Sequence, residues 1–292
     1  MTKPSRLELP PGVQLVYLAE GGANVIFQFV STPANSRKRN SNQFACPVQP
    51  SQLDHSNLPP ELRGKLLRLR KDTPSASPYQ ETARNFDKII RPLFSPQELV
   101  DQSLVHLPKG LLQRCNEQLQ VLEVNDRRPA KRHGVYLAIT EPYGLLVTDM
   151  TARGDPATVV AELKPKWLLQ SPSAPPNARK CRTCALRDMK NHESTALGGL
   201  KSRMFCPLDL VSDKFENVLR ATSLLRDCQD RLRLARLLVR NNTLLKLQSH
   251  QNALQDVGLY GPSSQSREKS LAMTLRDCTM FIKVRNVSRT HS

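Results

Sequence analysis

The sequence is poor in aromatic residues and has no long apolar stretch. Aromatic side chains make up 5% of the 292 residues, and tryptophan occurs once, at Trp167. Proteins that bind single-stranded nucleic acid usually stack bases on aromatic side chains, so this composition disfavours that function. No apolar run reaches the roughly 18 residues of a membrane-spanning helix, and we therefore expect no membrane span.

Acidic residues are scarce relative to basic ones. The chain has 43 Lys and Arg against 26 Asp and Glu, a formal net charge of +17. Such an excess indicates an anionic partner: nucleic acid, an anionic membrane or a highly phosphorylated small molecule. The basic residues are spread over many segments, which suits a concave polyphosphate site and also a nucleic-acid groove. Charge alone leaves both open.

The cysteines and the N-terminus favour a reduced, intracellular protein. There are 7 cysteines, and residues 1–12 contain no apolar core of the kind found in secretory signal peptides. Cys181 and Cys184 have the spacing of half a zinc site, with His192 nearby and Cys206 as a further candidate ligand. Because only one clear ligand pair is visible, we expect the fold not to require zinc.

Apolar periodicity predicts a mixed order of strands and helices. Residues 13–31 are typical of a strand, a glycine turn and a second strand, and residues 32–60 are polar and proline-rich, which indicates an exposed, mobile insertion. The remaining predicted strands cover residues 64–71, 134–139, 159–163 and 280–284, and the predicted helical regions cover 79–93, part of 98–119 and most of 213–247. Residues 171–178 and 258–269 are predicted loops.

Two lysines flank a proline directly after the strand at 159–163. Alternate side chains of a strand point to opposite faces, so Glu162, Lys164 and Lys166 are predicted to share one face, and Pro165 stiffens the backbone between the lysines. Two ammonium groups held together suit phosphate oxygens. The alternative is a solvated surface pair.

This Glu-Leu-Lys-Pro-Lys segment is the first of several short motifs. It is followed by Cys181-Arg182-Thr183-Cys184, Cys206-Pro207-Leu208-Asp209-Leu210, Asn241-Asn242 and Arg276-Asp277-Cys278-Thr279. In this order the motifs resemble those of the inositol-pentakisphosphate 2-kinases, the fungal members most closely, over residues 15–283. The resemblance implies an α+β, two-lobed kinase-like fold, with a small ATP lobe at residues 1–144 and a larger inositide-binding lobe at residues 145–292.

The resemblance also implies a reaction. Members of this family use ATP and Mg²⁺ to phosphorylate the 2-hydroxyl of inositol 1,3,4,5,6-pentakisphosphate, which gives inositol hexakisphosphate (phytate). We accordingly expect a monomer with inositol pentakisphosphate as its partner, no nucleic acid, and a nuclear or cytoplasmic location.

Matching motif positions assign roles to individual residues. Asp277 corresponds to the catalytic base and is also the candidate metal ligand. Arg68 corresponds to the strand cation that contacts ATP phosphates, and Glu81 on the following helix is its expected ion-pair partner. The other nucleotide-binding candidates are Gly21, Gly22, Asn24, Asp149 and Glu162. The substrate-binding candidates are Arg132, Lys164, Lys166, Arg182, Asn241 and Asn242. Taken without the resemblance, Gly21 and Gly22 indicate only a hairpin turn, Asn241-Asn242 a helix C-cap, and the arginines solvated basic segments.

One family motif has no counterpart. After the Asp-Cys-Thr strand, the family continues to a D-x-D-x-K segment with a metal-binding aspartate, and residues 283–292 do not match it. The expectation is a chain that lacks this segment, and a second hypothesis follows: a kinase homologue that binds inositol polyphosphates with little turnover. A third is a basic nucleic-acid-binding protein with a zinc knuckle at Cys181 and Cys184.

Overall fold

A computed structural model describes residues 7–10, 14–31, 58–74, 76–151, 158–196, 200, 204–225, 230–257 and 266–285. The chain is mixed α+β and divides into two compact units, Met1–Asp149 and Met150–Ser292. The first unit therefore ends at Asp149, and the predicted ATP lobe ends at residue 144. None of the helices in the described ranges has both the length and the apolar character that crossing a membrane requires.

The first unit contains a six-stranded sheet of order β1-β5-β6-β4-β3-β2. Its strands are β1 (Leu7–Glu8), β2 (Gln14–Glu20), β3 (Asn24–Val30), β4 (Lys65–Arg70), β5 (Gln102–His106) and β6 (Tyr143–Thr148). Neighbouring strands are antiparallel, except that β1 runs parallel to β5. The predicted strand–turn–strand at 13–31 and the predicted strand at 64–71 are confirmed.

The core of this unit lies between the sheet and a long helix. Helix α1 (Tyr79–Asn85) continues through a π turn (Phe86–Ile90) and a 3-10 turn (Arg91–Leu93), and α2 is Leu111–Val124. Phe27 and Leu67 from the central strands are fully buried and belong to one cluster with Leu119 of α2. Leu58 is buried in the same cluster, so the end of the predicted insertion belongs to the core, whereas residues 32–57 lie outside the described ranges.

Of two further predictions for the first unit, one is confirmed and one needs correction. The predicted helix within 98–119 is α2, which begins at Leu111 after β5. The predicted strand at 134–139 is reduced to a single bridge between Leu137 and Lys71. The backbone N–H and C=O of Leu137 are bonded instead by the side-chain amide of Asn116, at 2.8 and 3.2 Å. A side chain from α2 thus replaces the neighbouring strand.

The second unit combines a two-stranded antiparallel sheet with short helices. The strands are β7 (Thr158–Leu163) and β8 (Met280–Arg285), and the helices are α3 (Arg182–Ala196), α4 (Pro207–Leu210), α5 (Phe215–Thr222), α6 (Arg231–Leu238), α7 (Asn242–Ala253) and α8 (Ser266–Arg276). Both predicted strands and the helical region at 213–247 are confirmed. The predicted loop at 258–269 is wrong from Ser266 onward, where α8 begins, and residues 258–265 lie outside the described ranges.

The register of this small sheet positions two of the sequence motifs, the Lys-Pro-Lys segment and the Asp-Cys-Thr segment. Leu163, the last residue of β7, pairs with Met280, the first residue of β8. Antiparallel pairing therefore places the chain that leaves β7 beside the chain that enters β8. Lys164 and Lys166 follow β7, and Asp277 precedes β8, so the three residues are brought together by this one register.

Candidate functional site

A carboxylate and two ammonium groups meet beside the β7–β8 sheet. Asp277 accepts hydrogen bonds from Lys166 Nζ at 2.6 Å and from Lys164 Nζ at 3.3 Å, and all three side chains are partly exposed. The hydrogen bond from Lys166, followed by its charge and by Lys164, holds the pKa of Asp277 below its usual range despite opposing desolvation. Asp277 is therefore ionised at neutral pH and able to accept a proton.

The two lysines converge by a different route from the predicted one. β7 ends at Leu163, so strand alternation does not carry through Lys164 and Lys166. Lys166 instead has a positive φ of 62°, which turns its side chain toward Asp277. Glu162 stays on β7 with an exposed side chain opposite Phe281, and the structure does not bring it to the two lysines.

Arg276 and Arg182 add positive charge to this part of the second unit. The guanidinium of Arg276 lies 4.2 Å from the ring centroid of Trp167, and its Nε is buried without a hydrogen-bond partner. Burial lowers the pKa of Arg276, and the positive charge of Arg182 lowers it further. Arg182 is therefore close enough to repel Arg276. Within the described ranges neither arginine forms an ion pair. A polyanion would relieve this mutual repulsion.

The two asparagines have different surroundings. Asn241 is the N-cap of α7: its side chain accepts from Leu244 N–H at 3.1 Å and donates to the Leu237 carbonyl at 3.3 Å. The helix C-cap considered for this pair is thus wrong, because the cap belongs to the start of the following helix. Asn242 is exposed in the first turn of α7. Within the described ranges, Asn241 bonds to residues of α6 and α7, and none of these bonds reaches the lysines or Asp277.

Three cysteine sulfurs converge in the second unit. The sulfurs of Cys181, Cys184 and Cys206 all lie within 4.8 Å of one another, and those of Cys181 and Cys206 are 3.7 Å apart. Tetrahedral zinc with Zn–S bonds of about 2.3 Å would separate two sulfurs by about 3.8 Å. Without a cation, burial raises the pKa of Cys184 to about 12. The reason for expecting no zinc, a lone ligand pair, therefore does not hold: Cys206 supplies a third ligand, while His192 is exposed and outside the group.

The glycine turn between β2 and β3 leaves an open cradle. A Cβ on Gly21 would meet no atom within 4 Å, and neither glycine has a positive φ. Gly21 N–H donates to the Asn24 carbonyl at 2.9 Å. In the described part of the chain, the N–H groups of Gly22 and Ala23 have no acceptor, and both residues are exposed. Neither the backbone conformation nor the packing of the turn requires glycine. The absence of side chains instead leaves room for an external anion to approach the backbone N–H groups closely.

Two guanidinium groups contact this turn. Arg132 Nη1 lies 3.8 Å from the position that a Cβ of Gly22 would occupy, and Arg132 Nε is buried without a partner. With the Asn24 amide oriented so that its oxygen faces Arg68, Arg68 Nη2 donates to that oxygen at 2.8 Å and the amide nitrogen donates to Tyr79 Oη at 2.8 Å. The structure thus gathers Arg68, Arg132, Asn24 and the glycines, all of them predicted site residues.

The predicted Arg68–Glu81 ion pair is wrong. Glu81 is exposed on α1, and the ion pairs of the described residues do not include it. The inward position of α1 is taken by Tyr79, which is 2% exposed and fills the space beside Asn24. Arg68 therefore bonds to Asn24. Asp149, the last nucleotide candidate, is buried just after β6, and its N–H donates to the Gly64 carbonyl at 2.8 Å.

A buried ion-pair network that the sequence did not reveal supports the turn. Lys71 Nζ contacts the carboxylate of Glu20 and donates to the Gly21 carbonyl at 2.9 Å, and Lys71 N–H donates to the Ala23 carbonyl at 2.9 Å. Both carbonyls are thereby directed toward Lys71 and away from the exposed side of the turn.

Glu20 is the centre of this network. Arg128 Nε donates to Glu20 Oε1 at 2.8 Å, and Arg128 Nη1 donates to Glu123 at 2.8 Å. Burial alone would raise the pKa of Glu20, but the bonds from Arg128 and Lys71 outweigh it and hold that pKa below its usual range. Glu20 and Glu123 neutralise Lys71 and Arg128, so Arg68 and Arg132 are the cations at the turn that form no ion pair with another described residue.

Asp277 offers a single carboxylate for a divalent cation. Among the described residues, the cysteine trio is the one group of three or more side chains close enough to share a metal ion. Mg²⁺ commonly binds one or two carboxylates and completes its shell with water and substrate phosphates. Asp277 fits that pattern, with phosphate oxygens as the other ligands.

Comparison with known proteins identifies relatives along most of the chain. The sequence profile of the family described as inositol-pentakisphosphate 2-kinase matches residues 17–257. The chain is 27% identical over 244 residues to an inositol-pentakisphosphate 2-kinase of Yarrowia lipolytica, covering 76% of this chain and 74% of the relative. It is 26% identical over 329 aligned positions to one of Debaryomyces hansenii, covering 94% and 76%.

Proposed function

The chain belongs to the inositol-pentakisphosphate 2-kinase family, and on that premise we propose that it transfers the γ-phosphoryl group of ATP to the 2-hydroxyl of inositol 1,3,4,5,6-pentakisphosphate. The observation that carries this proposal is the contact of Asp277 with Lys164 and Lys166. A base and two phosphate-binding cations lie together, which is the combination that transfer to a polyphosphorylated alcohol needs. The proposed fold is the two-lobed kinase-like architecture, with Met1–Asp149 as the nucleotide lobe.

The second unit is the proposed inositide-binding part. A pentakisphosphate carries about 1.5 to 2 negative charges per phosphate near neutral pH. Lys164, Lys166, Arg182 and Arg276 supply four cations, whereas Asp277 is the one carboxylate that pairs with them among the described residues. When substrate phosphates draw the lysines away, Asp277 loses the bonds that lower its pKa and becomes a stronger base for the attacking hydroxyl.

The first unit is the proposed nucleotide-binding part. The free N–H groups of Gly22 and Ala23 suit phosphate oxygens, and the planar forks of Arg68 and Arg132 suit bidentate phosphate contacts. Residues 128–132 resemble an R-P-x-x-R segment of the family, which implies that Arg132 contacts an inositol phosphate. Its position 3.8 Å from a Gly22 Cβ supports an additional role at the phosphates that the glycine turn covers.

Magnesium would supply charge neutralisation on the transferred phosphoryl group, and Asp277 would hold it. Phosphoryl transfer depends almost entirely on positioning and electrostatic stabilisation, so cations that bind the phosphates would contribute directly to the rate. Asp277 accepts the proton of the 2-hydroxyl at its carboxylate as the oxygen attacks.

The test is a transfer assay with radiolabelled ATP and inositol pentakisphosphate, followed by anion-exchange chromatography. We expect a hexakisphosphate product from the wild-type chain and a loss of at least about 100-fold in Asp277→Asn, which keeps the shape but not the base. Binding of the inositide without product would instead support the hypothesis of a binding protein. Preference for RNA or DNA over the inositide would support the third.

A further inference from the structure

Gln251 is a fully buried polar side chain that the reaction itself does not use. It lies on α7 with 0% exposure. Its oxygen accepts from Leu168 N–H at 2.7 Å, and its nitrogen donates to the carbonyls of Lys166 at 2.8 Å and Leu275 at 2.9 Å. We propose that Gln251 is a positioning residue that holds Lys166 and Asp277 in their reactive arrangement, an inference that rests on the proposed function.

The first half of the argument concerns Lys166. Its backbone has a φ of 62°, which is costly for a residue with a Cβ and persists only where the surroundings enforce it. Gln251 bonds the carbonyl of Lys166 and the N–H of Leu168, and so fixes the peptide groups on both sides of Trp167 with a single amide. These two hydrogen bonds keep the Lys166 side chain directed toward Asp277.

The second half concerns the end of α8. Leu275 is in the last turn of that helix, where carbonyls have no helical N–H to accept from. Gln251 Nε2 donates to the Leu275 carbonyl, and Asp277 N–H donates back to the Met273 carbonyl at 3.1 Å. The helix end is thereby closed immediately before the base, and its position is tied through Gln251 to Lys166.

The amide is matched to this task. Both of its hydrogens and its oxygen are engaged, which is what a buried glutamine requires. Gln248, one turn earlier on α7, donates to the Leu168 carbonyl at 2.9 Å but bonds neither Lys166 nor Leu275. Gln251 is therefore the residue of α7 whose bonds join the two segments that carry the cation and the base.

The experiment compares Gln251→Met with two controls in steady-state kinetics. Methionine keeps the length of the side chain and removes all three bonds. We expect kcat to fall by about 10- to 100-fold, since small misplacement of reacting groups has effects of that size. We also expect a higher KM for inositol pentakisphosphate and a KM for ATP within about twofold of wild type. Should this variant not fold, Gln251→Glu, which keeps the acceptor for Leu168 and loses donors to the two carbonyls, carries the same test.

The controls separate positioning from general destabilisation. Thr222→Val removes a fully buried hydroxyl whose single hydrogen is shared between the Leu219 and Arg231 carbonyls, at 3.0 and 3.2 Å. Gln248→Ala removes the bond to the Leu168 carbonyl. Both should keep wild-type kcat. Retained kcat in folded Gln251→Met, or an equal loss in Thr222→Val, overturns the inference. A wild-type chain without transfer activity overturns the proposed function and with it the role of Gln251.

Discussion

Lys166 Nζ donates a hydrogen bond of 2.6 Å to the carboxylate of Asp277. The proposed substrate-binding cation is therefore paired with the proposed base. The two groups neutralise each other as long as no polyphosphate is bound. Under the proposed function, arrival of the inositide would exchange this partner of Lys166 for a phosphate and free the carboxylate while a hydroxyl is present. Substrate binding and activation of the proposed base would then be one event.

Replacing either lysine should weaken inositide binding far more than ATP binding. Lys164→Met and Lys166→Met each remove one charge-assisted contact, and we expect a loss of about 1.5–3 kcal/mol for inositol pentakisphosphate. Calorimetric titration with each ligand separately measures both affinities. Lys180→Met is the matched control, because Lys180 is exposed and pairs with Asp188 at 2.6 Å in the same unit. Equal losses for ATP and inositide would refute the assignment of the two lysines.

Alanine in the glycine turn should impair nucleotide binding without loss of stability. A Cβ on Gly21 enters open space, and one on Gly22 meets only Arg132 at an ordinary 3.8 Å. Because neither glycine has a positive φ, Gly21→Ala and Gly22→Ala should leave the free energy of unfolding unchanged or raise it by about 0.4–1 kcal/mol. The added methyl groups should lower ATP affinity, measured by calorimetry beside urea denaturation.

Gly144→Ala is the control in which the added methyl group should lower stability, in contrast to the two variants of the turn. Its Cβ would lie 2.9 Å from Leu67 Cδ1 inside the core, so this variant should lose stability. Unimpaired ATP binding in both turn variants would show that the cradle does not receive phosphates.

Glu20 should control both the stability and the acid sensitivity of the first unit. Glu20→Gln leaves Lys71 and Arg128 buried with one carboxylate fewer, and we expect a loss of about 3–5 kcal/mol in the free energy of unfolding. The pKa of Glu20 is lowered in the folded state. Its stabilisation is therefore complete above the unfolded-state pKa, near 4.5, and is lost as the pH falls toward the lower folded value.

Urea denaturation at pH 7 and at successively lower pH measures this effect. Wild type should lose stability on acidification more steeply than Glu20→Gln, which has no carboxylate to protonate at that position. Asp101→Asn is the control, since its ion pair with Lys65 is exposed and should contribute less than about 1 kcal/mol. Parallel pH profiles of wild type and Glu20→Gln would contradict the network's role.

The cysteine trio should bind zinc. Three thiolates supply three of the four ligands of a tetrahedral site, and Zn²⁺ would lower the thiol pKa values that burial now raises. We expect about one zinc per chain by elemental analysis, and loss of that zinc in Cys206→Ser but not in Cys115→Ser, whose buried thiol lies in the first unit. Metal-free protein with wild-type stability would restore the original expectation of a fold without zinc.

The sequence predicts best those features that depend on residues close together along the chain. The sequence predicts Lys164, Lys166 and Asp277 as site residues, and it also predicts the two strands whose pairing brings these residues together. The first sheet was predictable around its glycine turn for the same reason. Strand β5 and the bridge at Leu137 were not, because their pairing depends on partners far along the chain.

Side chains that act on distant backbone have no sequence signature. Gln251 bonds to residues 85 and 24 positions away, and Arg128 reaches Glu20 across 108 positions. In the sequence, Gln251 lies in a polar stretch of a helix and Glu20 lies at the end of a strand. The residues around them give no pattern that predicts a buried side chain at either position. Only the packed chain shows which polar residues are inside.

The antiparallel pairing of β7 and β8 joins two segments that are synthesised at different times. Lys166 and Asp277 are separated by 111 positions, and ribosomes add about 5–20 residues per second, so the lysine is synthesised roughly 6 to 20 seconds before its carboxylate. During that interval the emerging segment has its lysines but neither the proposed base nor the second strand of the sheet. Because the pairing of β8 with β7 brings Lys166 and Asp277 together, their contact forms only after β8 has been synthesised.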